Sequence, residues 1–159
     1  MCEYCGCQAL VPIDELTREH DLVLSLISQV RPARAGGDLP RMAGLAQRIA
    51  AVLGPHTQVE EQGLFPALTD EFPDQIAALE AEHRRIEAVL AEAAAGPPED
   101  PAWPGRLAET LAELRGHIFR EQDGVFPAAL ASLRTEDWEA VEAARARVGS
   151  PLRTLESAG

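Results

Sequence analysis

The chain has 159 residues, 46% of them hydrophobic and only 4% aromatic, and a formal net charge of −12. That length suits one domain with a single core, and the charge argues against a nucleic-acid-binding surface or a basic membrane patch. No apolar run approaches the ~20 residues of a membrane span, and the start "MCEYCGCQ" lacks the basic and apolar regions of a secretory signal, so a cytoplasmic protein that meets small molecules or cations is expected.

Residues 1–11 form a cysteine-containing segment that holds all three cysteines, Cys2, Cys5 and Cys7. A disulfide-stapled fold is thereby excluded. The C-x2-C-x-C spacing supplies three soft ligands and no fourth. A zinc site completed by another group, a redox-active thiol cluster and an exposed tail without a role all stay open. Tyr4, the only tyrosine, could pack this segment on the body.

The first helix is predicted from Pro12 to about Arg34, because Ile13, Leu16, Val23, Leu26, Ile27 and Val30 recur at three- and four-residue steps. "RAGGDLP" breaks it. A second helix is predicted from about Arg41 to Leu68, with Gly54-Pro55 in its middle. Proline removes the bond to the Ala51 carbonyl there, which predicts a kink one residue before His56. "TDEFPD" is a turn. A third helix spans about Asp74 to Ala95, carrying Ile76, Leu79, Ile86, Val89 and Leu90. "GPPEDPAWPG" is a proline-rich connection. A fourth helix runs from about Gly105 to Leu133 with Leu107, Leu111, Leu114 and Ile118. "TEDWEAVEAARARV" reads as a short fifth helix with Thr135 as N-cap and two acids in its first turn. The tail "GSPLRTLESAG" reads as frayed, with a docking tag as the alternative. Good helix formers dominate and strand signal is weak. The expectation is an all-α protein: an up-down-up-down four-helix bundle over residues 12–133, followed by a short helix and tail over 134–159.

The chain repeats itself. At an offset of 61 residues, His56 meets His117, Glu60 meets Glu121, Gly63 meets Gly124, Phe65 meets Phe126 and Pro66 meets Pro127. In the preceding helices Glu19-His20 meets Glu82-His83 at an offset of 63. Two helical hairpins of the same design follow.

The four histidines, His20, His56, His83 and His117, fall one on each long helix. His56 and Glu60, like His117 and Glu121, are four apart and leave one helix face together. A single such pair is ordinary surface chemistry. Four imidazoles and two carboxylates brought to one depth of a bundle are costly to bury without a metal, whereas histidine and glutamate are natural metal ligands. Two ions suit this set, each with two histidines and both sharing Glu60 and Glu121. Non-haem iron fits best, with manganese second and zinc behind it. Water, hydroxide, an oxo bridge, oxygen, nitric oxide or peroxide could complete the coordination. Gly63 and Gly124 could leave room for such a ligand or permit close helix packing. Glu61 reads as solvent-facing or as support behind a ligand, and Phe65-Pro66 as architecture near a helix end.

This pattern resembles the hemerythrin-like, or HHE cation-binding, family, with "EEQGLFP" and "EQDGVFP" strengthening the likeness. The resemblance implies a carboxylate-bridged non-haem di-iron centre, oxo- or hydroxo-bridged, in a four-helix bundle. It makes His20, His56, His83 and His117 terminal ligands and Glu60 and Glu121 bridges. The chain departs from oxygen-carrying hemerythrins at Glu87, where those have a fifth histidine, and in having His-x3-Glu rather than His-x4-Asp on the last helix. Asp123, six residues after His117, does not fit that place. A more symmetric centre follows, or Glu87 serves as an extra ligand, an exposed glutamate being the alternative. The function expected is a di-iron protein that meets oxygen, nitric oxide or peroxide in redox sensing or stress response. A catalase- or peroxidase-like enzyme is the runner-up. Iron storage, delivery or sensing without turnover is a third reading, and a metal-free interaction module a fourth.

Overall fold

A computed structural model describes residues 7–152. Among these residues every regular element is helical. Helix α1 spans Cys7–Ala35, α2 Leu39–Val59, α3 Pro73–Ala91, α4 Trp103–Arg120, α5 Phe126–Ser132 and α6 Thr135–Val148. α1 packs on α2, α2 on α3, α3 on α4, and α4 back on α1.

Several boundaries move from their predicted places. α1 begins at Cys7, before Pro12. The ring of Pro12 is buried beside Val141 and Arg145 of α6, and that packing outweighs one lost backbone bond. α2 starts at Leu39 because the Asp38 side chain accepts from the Arg41 backbone N–H at 3.0 Å and Pro40 suits a first turn. α3 stops at Ala91 rather than Ala95. α4 begins at Trp103, inside the expected connection, and Trp103 is fully buried. Arg134, not Thr135, occupies the N-cap place of α6, and its N–H is held by Asp137 Oδ2 at 2.9 Å. In the tail, Gly149 takes a left-handed φ of 77° and Pro151 is buried, so residues 149–152 are ordered against the body. The rest of the tail, and Cys2, Tyr4 and Cys5, lie outside the described residues.

α2 runs through Pro55 as helix; the lost bond falls on the exposed Ala51 carbonyl, which water can reach. The winding changes further on. Residues Glu60–Leu64 and Glu121–Val125 each form a π-helical turn, closed by Phe65 N–H to the Glu60 carbonyl and by Phe126 N–H to the Glu121 carbonyl. Such turns insert one residue and frequent functional sites. The repeated Phe-Pro suits them. Pro66 and Pro127 have no N–H, so neither could close the ordinary four-residue bond at that point.

The core is divided. One apolar cluster contains Val23, Leu26, Ile49, Val52, Ile86, Leu90, Trp103, Leu107 and Leu114. A second contains Leu16, Phe65, Leu68, Ile76, Leu79, Phe126, Trp138 and Val141. On α1, α2 and α3 the histidine falls in sequence between the residues of the two clusters, and His117 lies beside Ile118, the last residue of the first cluster before Phe126 of the second, so the polar side chains form a layer inside the core.

α6 lies across Gly63. A Cβ built there would sit 2.8 Å from the Val141 Cα and 3.3 Å from the Ala144 Cβ. Of the two readings for Gly63, close packing holds. A Cβ on Gly124 would meet nothing within 4 Å. Gly63→Ala is expected to destabilise by about 1–3 kcal/mol through overpacking. Gly124→Ala should be neutral or stabilising by up to about 1 kcal/mol. Urea unfolding of the two variants checks the contrast.

Candidate metal centre

α1 carries Glu19 and His20 side by side, α2 presents His56 and its π turn Glu60, α3 presents His83, and α4 with its π turn presents His117 and Glu121. All seven are buried, and Glu60 and Glu121 are fully so. The six expected site residues come together. His56 Nε2 lies 2.6 Å from Glu60 Oε1 and His83 Nε2 3.3 Å from Glu60 Oε2. His20 Nε2 and His117 Nε2 lie 3.1 and 3.2 Å from Glu121 Oε1. The donor atoms of His20, His56, Glu60 and Glu121 all fall within 4.8 Å of one another, as do those of Glu60, His83, His117 and Glu121.

Behind this ring stands a second set of partners, repeated across the two halves. Each histidine turns Nε2 inward and gives Nδ1 to an outer group. His20 meets Gln122 at 3.0 Å and His56 meets Glu19 at 3.0 Å. His83 meets Glu61 at 3.3 Å and His117 meets Glu82 at 2.7 Å. Outer partners of this kind fix the tautomer and ring orientation of ligating histidines. The outer carboxylates are held in turn. Glu61 is bound by Arg84, Glu82 by Arg120, and Glu19 by both terminal nitrogens of Arg145 at 2.8 Å. The aromatic walls repeat too: Phe126 stacks on His20 with centroids 5.4 Å apart, and Phe65 stacks on His83 at 5.9 Å. Phe65 is therefore more than helix-end architecture, since it sets a face of the site.

Does this set fit a cation? His56 Nε2, both oxygens of Glu60 and Glu121 Oε2 are buried without any hydrogen-bond partner. His56 Nε2 and Glu60 Oε1 are close, yet not aligned as donor and acceptor. His83 Nε2 and His117 Nε2 point at each other across 3.0 Å. Converging lone pairs of this kind, otherwise costly to bury, are what a cation satisfies. A cavity of about 10 Å³ adjoins the group, lined by His20, Leu53, His56, His83, Leu114 and His117. It is large enough for one body the size of water.

Without a cation the carboxylates and imidazoles lean on one another. Burial works against a charged His56, but the Glu60 carboxylate and Glu19 push its pKa up to about 10. His117 is likewise raised to about 9, burial being overcome by Glu121. Burial disfavours ionised Glu60, yet His56 holds its pKa well below the ordinary carboxylate range. A raised folded-state pKa stabilises fully below the unfolded value and is lost as pH climbs through the folded one. Chain stripped of metal by a chelator should therefore lose thermal stability between about pH 7 and 10, as a melting series across that range would register.

The hemerythrin HHE cation-binding domain model matches residues 11–129. The chain belongs to the hemerythrin family. No curated protein and no solved structure gives a match. Cation binding is thus the family property, and the paired histidine–glutamate groups of this hemerythrin domain are positioned to hold metal. Glu87 lies outside both groups and its side chain, 42% exposed, pairs with Arg84 at 3.5 Å, but it also lines the small cavity beside the centre. Asp123 is exposed on the outer side of its π turn. Cys7 is the first residue of α1, and no role for the cysteine segment comes from the described residues. No helix among those residues is long and apolar enough to cross a membrane.

Proposed function

We propose that this hemerythrin-family chain is a cytoplasmic non-haem di-iron protein that meets oxygen, nitric oxide or peroxide in redox sensing or a stress response. His20 and His56 would hold one iron, His83 and His117 the other, and Glu60 and Glu121 would bridge them in a centre that also takes an oxo or hydroxo group. One observation carries this reading. The two groups of convergent ligand atoms each contain two histidines, and they share the same two glutamates. A single-ion site has no use for that doubling. Manganese could take the same ligands, but mixed imidazole and carboxylate ligation favours iron.

α1 and α3 pass from the second apolar cluster to the first, α2 returns, and α4 returns through its π turn and α5. That supports an up-down-up-down four-helix bundle, the architecture in which facing helices build such centres. When bound, the iron pair supplies electrons to a small oxidant or takes them back. The chain's own part is to orient and to exclude. Glu19, Glu61, Glu82 and Gln122 aim the imidazoles, the two apolar clusters keep bulk water out, and the small cavity admits only a compact molecule.

Expression under iron-replete conditions, followed by metal analysis and an optical spectrum, tests the proposal. About two irons per chain with ligand-to-metal charge-transfer bands that change on adding nitric oxide are expected. Bound iron near zero would overturn it. Sustained oxygen evolution from peroxide by the iron-loaded protein would reassign it as a catalase-like enzyme.

A further inference from the structure

Gly63 and Gly124 are equivalent under the internal repeat, but their surroundings differ. α6 covers Gly63, seated between Pro12, Glu15 and Glu19 of α1 and Val59 of α2. The repeat carries those wall residues onto Gln75, Ala78, Glu82 and Arg120. All four line one cavity of about 430 Å³, together with Leu79 and Gly124. The second half of the molecule therefore has the same seat, and among the described residues no helix fills it.

The filled seat shows what the open one accepts. Its occupant is a helix that puts Val141 and Ala144 against a glycine and Trp138 into the apolar cluster. One difference is electrostatic. In the filled seat the cation for the buried carboxylate arrives with the seated helix, as Arg145 on Glu19. In the open seat α4 already supplies it, as Arg120 on Glu82, so an occupant needs no arginine there. Four exposed acids adjoin lining residues in sequence: Asp70 and Glu71 before Phe72, Asp74 before Gln75, and Asp123 before Gly124. No cation among the described residues pairs with any of them.

We propose that this seat docks an amphipathic helix of a partner protein, with small side chains in the stripe that meets Gly124 and Ala78 and with lysine or arginine at its margins. The apolar floor supplies the contact area and the acidic margin selects a basic partner. The partner would lie against Glu82, the group that holds His117 Nδ1, beside the candidate centre.

A stapled peptide with the α6 sequence, residues 135–148, serves as probe. It carries Glu136→Lys, Glu139→Lys and Glu142→Lys on its solvent side and Arg145→Ala at the point where Arg120 already stands. Fluorescence anisotropy against the full chain should give saturable binding that weakens as salt is added. Gly124→Leu puts an isobutyl group into the cavity from a position where a Cβ meets nothing within 4 Å and should weaken binding about tenfold or more. Asp74→Lys with Asp123→Lys should weaken it by a similar factor while circular dichroism stays unchanged. Absence of saturable binding, or equal binding to Gly124→Leu, would overturn the proposal. So would a chain that self-associates in sedimentation and becomes monomeric on Gly124→Leu, since the occupant would then be a second copy. Tighter peptide binding after removal of residues 153–159 would assign the seat to the chain's own tail and overturn it equally.

Discussion

Replacing Glu60 and Glu121 together with alanine is expected to bring bound iron from about two per chain to near zero, with the helical circular dichroism retained. Each half of the candidate centre uses both glutamates, so no pair of histidines keeps a complete site once they are gone. Either single substitution leaves one carboxylate between the halves and should weaken retention rather than abolish it. The helices should survive because the two apolar clusters pack them, although the chelated double variant also loses the stability that His56 and His117 draw from these carboxylates. Both carboxylates are fully buried, and three of their four oxygens have no hydrogen-bond partner. Removing them relieves a desolvation penalty but leaves the imidazoles of His56 and His117 without their carboxylate partners, so the chelated double variant should melt lower while remaining helical. Metal analysis after gel filtration, with thermal melts of the chelated proteins, checks both halves of the expectation. A double variant that still held two irons would show that the histidines and other groups form the site.

The second large effect falls outside the ligand ring. Arg145→Ala is expected to destabilise the chain by about 3 kcal/mol or more. It removes both nitrogens that hold Glu19, a fully buried carboxylate, and also the 3.0 Å pair with Glu15. Glu19 would remain beside His56 as a buried charge short of its cation. The repeat supplies an internal control. Arg120 makes the equivalent contact to Glu82, but its side chain is 58% exposed and water can replace it. Arg120→Ala should therefore cost no more than about 1 kcal/mol. Urea unfolding of the two variants gives the comparison, and similar losses for both would refute it. Arg145→Lys should recover only part of the loss, because an ammonium cannot reproduce a two-point guanidinium contact.

The ring of candidate ligands was legible because the chain states it twice. His-x3-Glu is uninformative once, but its copy and the matching Glu-His pairs on α1 and α3 single out the residues that converge. Glu19 and Glu82 were visible in the same repeat, yet nothing in the sequence says that each reaches a histidine on the neighbouring helix. Arg145 carried no signal at all. It has no counterpart in the repeat, and its role depends on how α6 docks. The π turns escaped because a hydrophobic pattern at three- and four-residue steps tolerates one inserted residue. The trace they leave is the doubled Gly-x-Phe-Pro. Trp103 was hidden by the prolines beside it, which read as a connection although Pro104 opens a helix. Pro55 does not end α2, because its missing bond falls on the exposed Ala51 carbonyl, which water can satisfy.

The polar layer that splits the core bears on how cooperatively the molecule holds itself together. Apolar contact normally propagates order from one end of a helical bundle to the other. Here that continuity is interrupted by four imidazoles and two carboxylates, and the ends around Trp103 and around Trp138 belong to different clusters. Chain without a cation is therefore expected to open around one cluster before the other, coupled only through the shared helices and the histidine–glutamate contacts of the layer. A cation gripped from all four helices would join them into one unit, so that loading the centre changes the scale of the molecule's breathing as well as its chemistry.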